Sequence, residues 1–297
     1  MCGIVGLFLK TPKYEARLGQ LTAAMLKTMS DRGPDSAGFA VYGDDTDGLK
    51  LTLRGPSAAA LHRVVGALRE QFGRDLAATA RDTHTVVTVP EERESDVRQW
   101  LQENAPEVDV VSAGHRMEIY KEVGLPPKVA QRFDLPAMHG THAIGHTRMA
   151  TESAVTTNGA HPFSTGSDQC LVHNGSLSNH NGLRRMLEAE GMSFKTQNDT
   201  EVAAGYLSWR MREGDTLGEA LEKSLGDLDG FFTFVVGTAT SFGVLRDPIA
   251  CKPAVMAETE DYVAFGSEYR ALVGLPDIES ARVFEPEPAH VYFWERT

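Results

Sequence analysis

The second residue of the chain, Cys2, is its strongest candidate for chemistry. If Met1 is removed, Cys2 becomes the amino terminus and carries a thiol nucleophile and a free α-amine on one residue. An unperturbed α-amine has a pKa of about 7.7–8.0, so near neutral pH it can accept the proton of the thiol and serve as a general base. A cysteine here is also typical of the small apolar start of a strand, so the hypothesis depends on the motifs that follow.

A segment in the middle of the chain, residues 145–151 (GHTRMAT), offers groups that bind a carboxylate. Arg148 follows a predicted strand, and an arginine can hold a carboxylate with two parallel, charge-assisted hydrogen bonds. Thr151 could add a hydroxyl donor. An isolated arginine is more often part of a surface ion pair, so Arg148 alone does not establish a binding site.

The motif at residues 173–176 (HNGS) could stabilise an oxyanion. Asn174 offers a side-chain amide N–H, and Gly175 offers a backbone N–H with no side chain to block close approach. The same dipeptide is common in turns that follow a strand, and on its own it favours a turn.

Two further residues complete the set. Asp199 could pair with a substrate ammonium group, and it could also cap a helix that runs to about Arg212. Arg32, in the breaker-rich loop 31–36, could support the loop that carries the nucleophile, although Arg–Asp pairs within that loop explain it equally well. Together with Cys2, these motifs describe a site that cleaves an amide and recognises a free amino acid.

The composition limits the classes of function. The chain has 297 residues, 41% of them hydrophobic, which is enough for one large domain with a sizeable core. Its formal net charge of −12 disfavours nucleic acid and anionic membranes as partners, because both require a basic surface. Three cysteines without a CxxC pair indicate a reducing compartment, and we expect a cytoplasmic protein. The ten histidines lack tight ligand spacing, so we predict no metal site.

The elements that must position these residues follow from hydrophobic periodicity. The pattern predicts a first strand at residues 3–9, a helix at 15–30, a pair of strands at 36–42 and 49–53 joined by a turn, and a hairpin of buried strands at 231–245. Residues 56–140 have an α-β-α-β-β order, which is typical of a small, self-contained α/β module. Strands at both ends of the chain with helices between them suit two packed sheets flanked by helices.

The order of the motifs is more specific than any one of them. Residues 2–6, 32–38, 145–148, 173–175 and 199–201 together resemble the class II glutamine amidotransferases. The resemblance covers most of the chain outside residues 56–140. It implies an α+β protein, with the four-layer αββα sandwich of the N-terminal-nucleophile hydrolases over residues 2–297 and with residues 56–140 as an inserted module.

The resemblance also implies roles for the residues. Cys2 would attack the side-chain amide of glutamine, release ammonia and form a glutamyl thioester that water hydrolyses to glutamate. The other roles fall to Asn174 and Gly175 for the oxyanion, Arg148 and Thr151 for the α-carboxylate, Asp199 for the α-amino group and Arg32 for support of the active-site loop. One departure is Met149, which stands where many relatives carry an aromatic residue.

The insertion, the segment 148–157 and the absence of a further domain look most like the separate amidotransferase subunits of glutamate-synthase-like systems, including the N-methylglutamate synthase type. In that family the partners are a flavoprotein synthase subunit and a β-helix subunit. The resemblance therefore implies a hetero-oligomer in which this chain supplies nitrogen or a glutamyl group. Flavin and iron–sulfur clusters are expected on the partners and no cofactor in this chain, since three scattered cysteines cannot supply the four thiolates that a cluster usually takes.

Two other functions remain open on the same residues. One is a stand-alone hydrolase of a γ-glutamyl amide or another small amide, which would be fully active without a partner. The other is a non-catalytic glutamine-binding or structural subunit. The non-catalytic alternative is disfavoured by the joint presence of Cys2, Arg148, Asn174, Gly175 and Asp199, since a binding protein has no need of an oxyanion hole.

Overall fold

The structure is a computed structural model that describes residues 2–149 and 155–296. The strands in these ranges are β1 (Gly3–Leu9), β2 (Ser36–Tyr42), β3 (Leu49–Arg54), β4 (Ala77–Arg81), β5 (His84–Val89), β6 (Asp109–Gly114), β7 (Met117–Val123), β8 (His142–Arg148), β9 (Phe163–Gly166), β10 (Gln169–Leu177), β11 (Gly230–Gly237), β12 (Ser241–Arg246), β13 (Val255–Glu258), β14 (Tyr262–Gly266), β15 (Arg282–Phe284) and β16 (Val291–Glu295). The α-helices are α1 (Leu18–Thr28), α2 (Ala58–Phe72), α3 (Glu94–Asn104), α4 (Pro126–Arg132), α5 (His180–Ala189), α6 (Asp199–Arg212) and α7 (Leu217–Asp227). Short 3₁₀ helices lie at Pro12–Arg17, Glu91–Arg93, Leu135–Ala137, Tyr269–Ala271 and Ile278–Ser280.

Two packed sheets form the centre of the molecule. A seven-stranded sheet runs in the order β15-β13-β14-β1-β8-β2-β7, and a five-stranded sheet runs in the order β16-β12-β11-β10-β9. Apolar side chains of both sheets fill the space between them. Helices α1 and α4 cover the outer face of the first sheet, and α5, α6 and α7 cover the outer face of the second. The four-layer αββα sandwich that the resemblance implied is confirmed.

Strand β1 shows why the sequence produces this layering. All seven of its residues are buried. Ile4 and Phe8 face the second sheet, whereas Val5, Leu7 and Leu9 lie under the helices of the outer layer. Because side chains alternate between the two faces of a strand, a strand covered on both faces reads as a continuous apolar run. The run at residues 3–9 therefore marks the interior of the sandwich, and Cys2 stands directly at its start.

A third sheet of four strands, in the order β4-β5-β3-β6, carries its own apolar cluster with α2 and α3. Its other side touches the large sandwich, where His84 of β5 packs edge-on against Phe133 with ring centroids 4.7 Å apart. This sheet includes β3, which precedes residue 56, whereas β7 and α4, which lie within 56–140, pack in the large sandwich. The division of the chain at residues 56–140 stays a prediction.

The predicted pairing of the second and third strands was wrong. Strand β2 lies between β7 and β8, and β3 lies between β5 and β6. The segment 43–48 leads from the large sheet to the small one and does not close a hairpin. Periodicity predicts that a segment is a strand, but it does not name the partner strand. The predicted hairpin at 231–245 is confirmed, since β11 and β12 pair antiparallel.

No helix in the described part of the chain is both long enough and apolar enough to span a bilayer.

Candidate active site

The backbone carbonyl of Cys2 receives two side-chain hydrogen bonds from distant parts of the chain. Arg32 Nε donates to it at 3.0 Å, and Asn174 Nδ2 donates to it at 3.1 Å. The half-buried Cys2 places its Sγ 3.9 Å from the carbonyl oxygen of Met149. The structure therefore brings together three residues that the sequence analysis selected from separate motifs, and their catalytic roles stay predictions.

A serine that the sequence analysis did not select fixes the start of β1. The buried Ser267 accepts a hydrogen bond from Ile4 N through Oγ at 2.9 Å and returns one from its own N–H to Ile4 O at 3.0 Å. Asn174 Nδ2 also lies 3.4 Å from Ser267 Oγ. Ser267 follows β14 directly, and a small polar residue at the end of a buried strand was the only sequence signal that could have pointed to it.

Arg32 is held in place by a second residue that the sequence analysis missed, Glu268. The guanidinium of Arg32 is buried, and its Nη1 lies 2.7 Å from Glu268 Oε1. The hydrogen bond from Arg32 lowers the pKa of the Glu268 carboxyl, and Arg270 Nε pairs with its other oxygen at 2.6 Å. Arg32 thus links Cys2 to the segment after β14, which is the geometry that a supporting role requires.

Asn174 and Gly175 lie inside β10, paired with Thr233 and Phe232 of β11. The alternative of an Asn-Gly turn after a strand is therefore wrong. Gly175 has a φ of +149°, and a Cβ at this position would lie 1.9 Å from Phe231 O. Only glycine fits this close approach of two strands, because it alone has no Cβ and readily adopts positive φ.

Arg148 is the last residue of β8, beside the start of β1. Gly3 pairs with Thr147, so the nucleophile and Arg148 lie at the same end of two antiparallel neighbours. The Arg148 side chain is buried, and a Cβ on Gly159 would lie 3.2 Å from its Nη1. The prediction for Thr151 falls outside the described residues.

Asp199 is the first residue of α6, but it is not the N-cap. Asn198 caps the helix by accepting a hydrogen bond from Thr200 N at 2.9 Å, so the predicted cap at Asp199 was wrong, whereas the helix does end at Arg212. Asp199 Oδ2 instead accepts a hydrogen bond from Leu177 N at 2.9 Å. This bond places the carboxylate against β10, three residues after Asn174.

A layer of buried imidazoles lies behind these groups. The rings of His146 and His161 stack with centroids 4.0 Å apart. Thr200 Oγ1 lies 3.0 Å from His173 Nδ1 and 3.4 Å from His161 Nε2. Burial lowers the pKa of His146 to about 3 and lowers the pKa values of His161 and His173 as well. These imidazoles are neutral at pH 7.

The described residues contain no group of three or more His, Cys, Asp or Glu side chains that could hold a metal ion. Of the clustered histidines, His139 is exposed beside Asp44, and His142 stacks on Tyr42 at 3.8 Å.

A family model described as "Glutamine amidotransferase domain" matches residues 146–274. Over 296 residues the chain is 62% identical to the "Glutamine amidotransferase-like protein GlxB" of Rhizobium meliloti, which covers 99% of this chain and 98% of the relative. The chain belongs to the class II glutamine amidotransferases. These are glutamine-hydrolysing enzymes, so the predicted family and class of enzyme are confirmed.

More distant amidotransferases match only in part. The glutamine–fructose-6-phosphate aminotransferase of Escherichia coli O6:H1 is 35% identical over 127 residues, which is 43% of this chain and 21% of that protein. The solved glutamine phosphoribosylpyrophosphate amidotransferase of B. subtilis aligns over 99% of this chain with a TM-score of 0.63 and 22% identity. The chain described here aligns with about half (47%) of the B. subtilis chain, and the likeness shows a common fold.

Proposed function

We propose that this chain hydrolyses the side-chain amide of glutamine through Cys2 as an N-terminal nucleophile. The observation that carries the proposal is the pair of hydrogen bonds from Arg32 and Asn174 to the carbonyl of Cys2. They hold the residue at the head of β1, beside the end of β8 that carries Arg148. Two hydrogen bonds that hold the backbone of the proposed nucleophilic residue reduce the conformational freedom that it must lose before it attacks.

The base in this proposal is the α-amine that Met1 removal exposes. It accepts the thiol proton, the thiolate attacks the amide carbon of glutamine, and the ammonium returns the proton to the departing ammonia. Water then hydrolyses the thioester to glutamate. The buried histidines are consistent with this assignment, because burial lowers the pKa values of His146, His161 and His173 and so makes these imidazoles weak bases.

Asn174 and Gly175 are proposed as the oxyanion hole. Asn174 Nδ2 donates to Cys2 O at 3.1 Å and reaches Ser267 Oγ at a longer 3.4 Å. When negative charge develops on the substrate oxygen, Asn174 Nδ2 would give up the longer, weaker bond to Ser267 and donate to the oxyanion instead. This hydrogen bond would then stabilise the transition state more than the bound substrate.

Arg148 and Asp199 are proposed to recognise the two charged groups that every free amino acid carries. Arg148 would hold the α-carboxylate, and Asp199, whose side chain is 22% exposed beside β10, would hold the α-ammonium group. Thr151 is proposed as a further carboxylate ligand on the resemblance alone.

We further propose that the product passes to a partner of the glutamate-synthase type, a flavoprotein subunit with a β-helix subunit, as in the N-methylglutamate synthases. The support is the resemblance of segment 148–157 to the separate amidotransferase subunits of such systems. Flavin and iron–sulfur clusters would then belong to the partners. Copurification of a tagged chain from its own cells tests this, and a fully active, partner-free glutaminase would favour the stand-alone hydrolase.

Intact-mass spectrometry before and after treatment with a glutamine-mimicking diazoketone tests the nucleophile. We expect the loss of one methionine and one adduct, which peptide mapping places on Cys2. Cys251 is exposed and serves as the matched control, since a Cys251→Ala variant should label fully and Cys2→Ala should not. A retained Met1 without any adduct would contradict the proposal and favour a non-catalytic subunit.

A further inference from the structure

A cavity of about 390 Å³ lies where the small four-stranded sheet meets the five-stranded sheet. We name it the junction cavity, and its wall includes Lys121, Asn158, Phe163, Lys195, Thr196 and Glu201. None of Cys2, Arg32 or Asn174 lines it. Its volume falls within the range of small-molecule pockets, about 300–1,000 Å³.

The cavity wall contains two lysines whose side-chain hydrogen bonds, among the residues that the structure describes, all go to backbone carbonyls. The buried Lys121 donates from Nζ to Ala160 O at 2.8 Å and also reaches Pro162 O at 3.3 Å. Lys195 donates from Nζ to Val110 O at 2.8 Å. Within residues 2–149 and 155–296, neither ammonium forms an ion pair with a carboxylate.

One carboxylate of the cavity wall, Glu201, is already occupied. Glu201 accepts hydrogen bonds from Lys195 N at 2.8 Å and from Thr196 N and Thr196 Oγ1, both at 2.7 Å. These bonds come from backbone and hydroxyl groups of the loop before α6. Glu201 therefore orders that loop and does not neutralise either lysine by direct contact.

The two other acidic residues of the wall are paired with arginines. Asp109 lies 3.2 Å from Arg54, and Glu94 lies 2.7 Å from Arg98. Among the described residues, the acidic groups of the wall are therefore paired or hydrogen-bonded, and the two lysines have no direct counterion. Because Lys121 is buried, its charged form is costly without a partner, and an anion beside it would stabilise that form. The exposed Lys195 adds a second cation to the same wall.

The remainder of the wall indicates an organic molecule. The Phe163 ring lies under Lys121 Nζ with its centroid 4.5 Å away, and Val110, Val111 and Ala113 add apolar surface beside serine and threonine hydroxyls. An inorganic ion would leave this apolar wall unused.

We propose that the junction cavity binds a small organic anion through Lys121 and Lys195, and that its occupancy changes the affinity of the adjoining site for glutamine. The second half rests on the proposed function of Arg148 and Asp199, and the first half is independent of it.

The coupling follows from the two segments that separate the cavity from the active site. Lys121 holds the carbonyls of segment 158–162, in which Gly159 lies against Arg148. On the other side, Thr196 Oγ1 accepts a hydrogen bond from Asn198 N at 3.1 Å, next to Asp199. An anion that draws Lys121 towards itself competes with those carbonyls, so it acts on a segment that touches the proposed carboxylate ligand.

Calorimetric titration of the full chain with succinate and with glycerol 3-phosphate tests the binding, one probe for each class of anionic group. Succinamide and glycerol are the uncharged controls. We expect one anion to bind with a Kd below about 1 mM and to lose at least about tenfold in affinity in Lys195→Met, a surface variant that should fold normally. Lys121→Met should lose as much, whereas the exposed Lys128→Met should bind as the wild type does. Binding by neither anion, or undiminished binding in both lysine variants, would overturn the proposal.

Proton uptake provides a second measurement of the same contact. Burial lowers the pKa of Lys121 to about 7, opposed by Glu201 and Asp109 and reinforced by Lys195 and Arg54. An anion beside the amine favours its charged form, so binding at pH 8 should take up protons and its enthalpy should depend on the buffer. A buffer-independent enthalpy would show that the anion does not contact Lys121.

Glutamine titration of the Cys2→Ala variant, which lacks the proposed nucleophile, tests the coupling. With the cavity saturated by the bound anion, we expect the Kd for glutamine to change by at least about fivefold. An unchanged Kd would overturn the coupling while leaving the anion site. If glutamine does not bind at all, the proposed function fails, and the anion titration still decides the first half.

Discussion

The two ends of the active site are built in different ways. At the nucleophile end, hydrogen bonds join four separate segments, since Cys2 is tied to Arg32 and Asn174, and Ser267 is tied to Ile4. At the recognition end, Arg148 and Asp199 each lie at the terminus of one element, β8 and α6. The first arrangement fixes position and the second presents charge. Changes at the nucleophile end should therefore act on kcat, and changes at the recognition end on KM.

The largest expected effect is at the nucleophile itself. Cys2→Ala should lower glutamine hydrolysis by at least about 10⁴-fold, because the variant lacks the thiol on which the proposed thioester forms. A coupled assay of glutamate release measures it, with Cys251→Ala as the control of unchanged activity. Full turnover in Cys2→Ala would show that Cys2 is not the nucleophile, and the proposed nucleophile end of the site would then be wrong.

The next effect separates charge stabilisation from positioning at the nucleophile end. Asn174→Ala should lower kcat by about 10²- to 10³-fold with little change in KM, because the oxyanion loses a donor. The exposed Asn104→Ala on α3 is the matched control. A rise in KM with unchanged kcat would assign Asn174 to recognition.

The recognition end should respond in the opposite way. Asp199→Asn keeps an acceptor for Leu177 N but removes the charge that would pair with the ammonium group of glutamine. We expect KM to rise by about 10- to 100-fold with kcat of the same order as the wild type, because the loss of one charge-assisted contact weakens glutamine binding. Steady-state kinetics with a glutamine analogue that lacks the α-amine provide a further test. The KM for this analogue should be the same in Asp199→Asn and in the wild type.

The smallest expected effect concerns the imidazole layer behind both ends. The pKa of His146 is about 3 when folded and 6.5 as the ordinary value, so between these pH values the unfolded chain binds a proton that the folded chain does not. The free energy of unfolding therefore falls as the pH falls below 6.5, by on the order of 2 kcal/mol at pH 5 for this one group.

His146→Leu should remove that part of the acid destabilisation. Urea unfolding at pH 7 and pH 5 measures it, and the exposed His62→Leu is the control. An equal loss of stability in His146→Leu and wild type would show that His146 is not held neutral.

Much of the local structure could be predicted from the sequence, because it depends on near neighbours. The periodicity at residues 15–30 matches α1 with the short helix before it, and the apolar run at 231–245 matches β11 and β12. The partners of β2 and β3 could not be predicted, since strand pairing depends on which faces the rest of the chain buries. The cap at Asn198 was missed because two adjacent residues could both cap a helix.

The sequence by itself determined which chemical groups are available: a thiol at position 2, an amide and a glycine at 174 and 175, and charges at 148 and 199. Only the tertiary structure decided that Asn174 and Arg32 bond to Cys2 and that Ser267 and Glu268 contact these two side chains. It also decided that Lys121 and Lys195 line a separate cavity. The physical reason is range. Residue type and period are encoded locally, whereas a hydrogen bond between residues 2 and 174 exists only after two sheets have packed and excluded water between them.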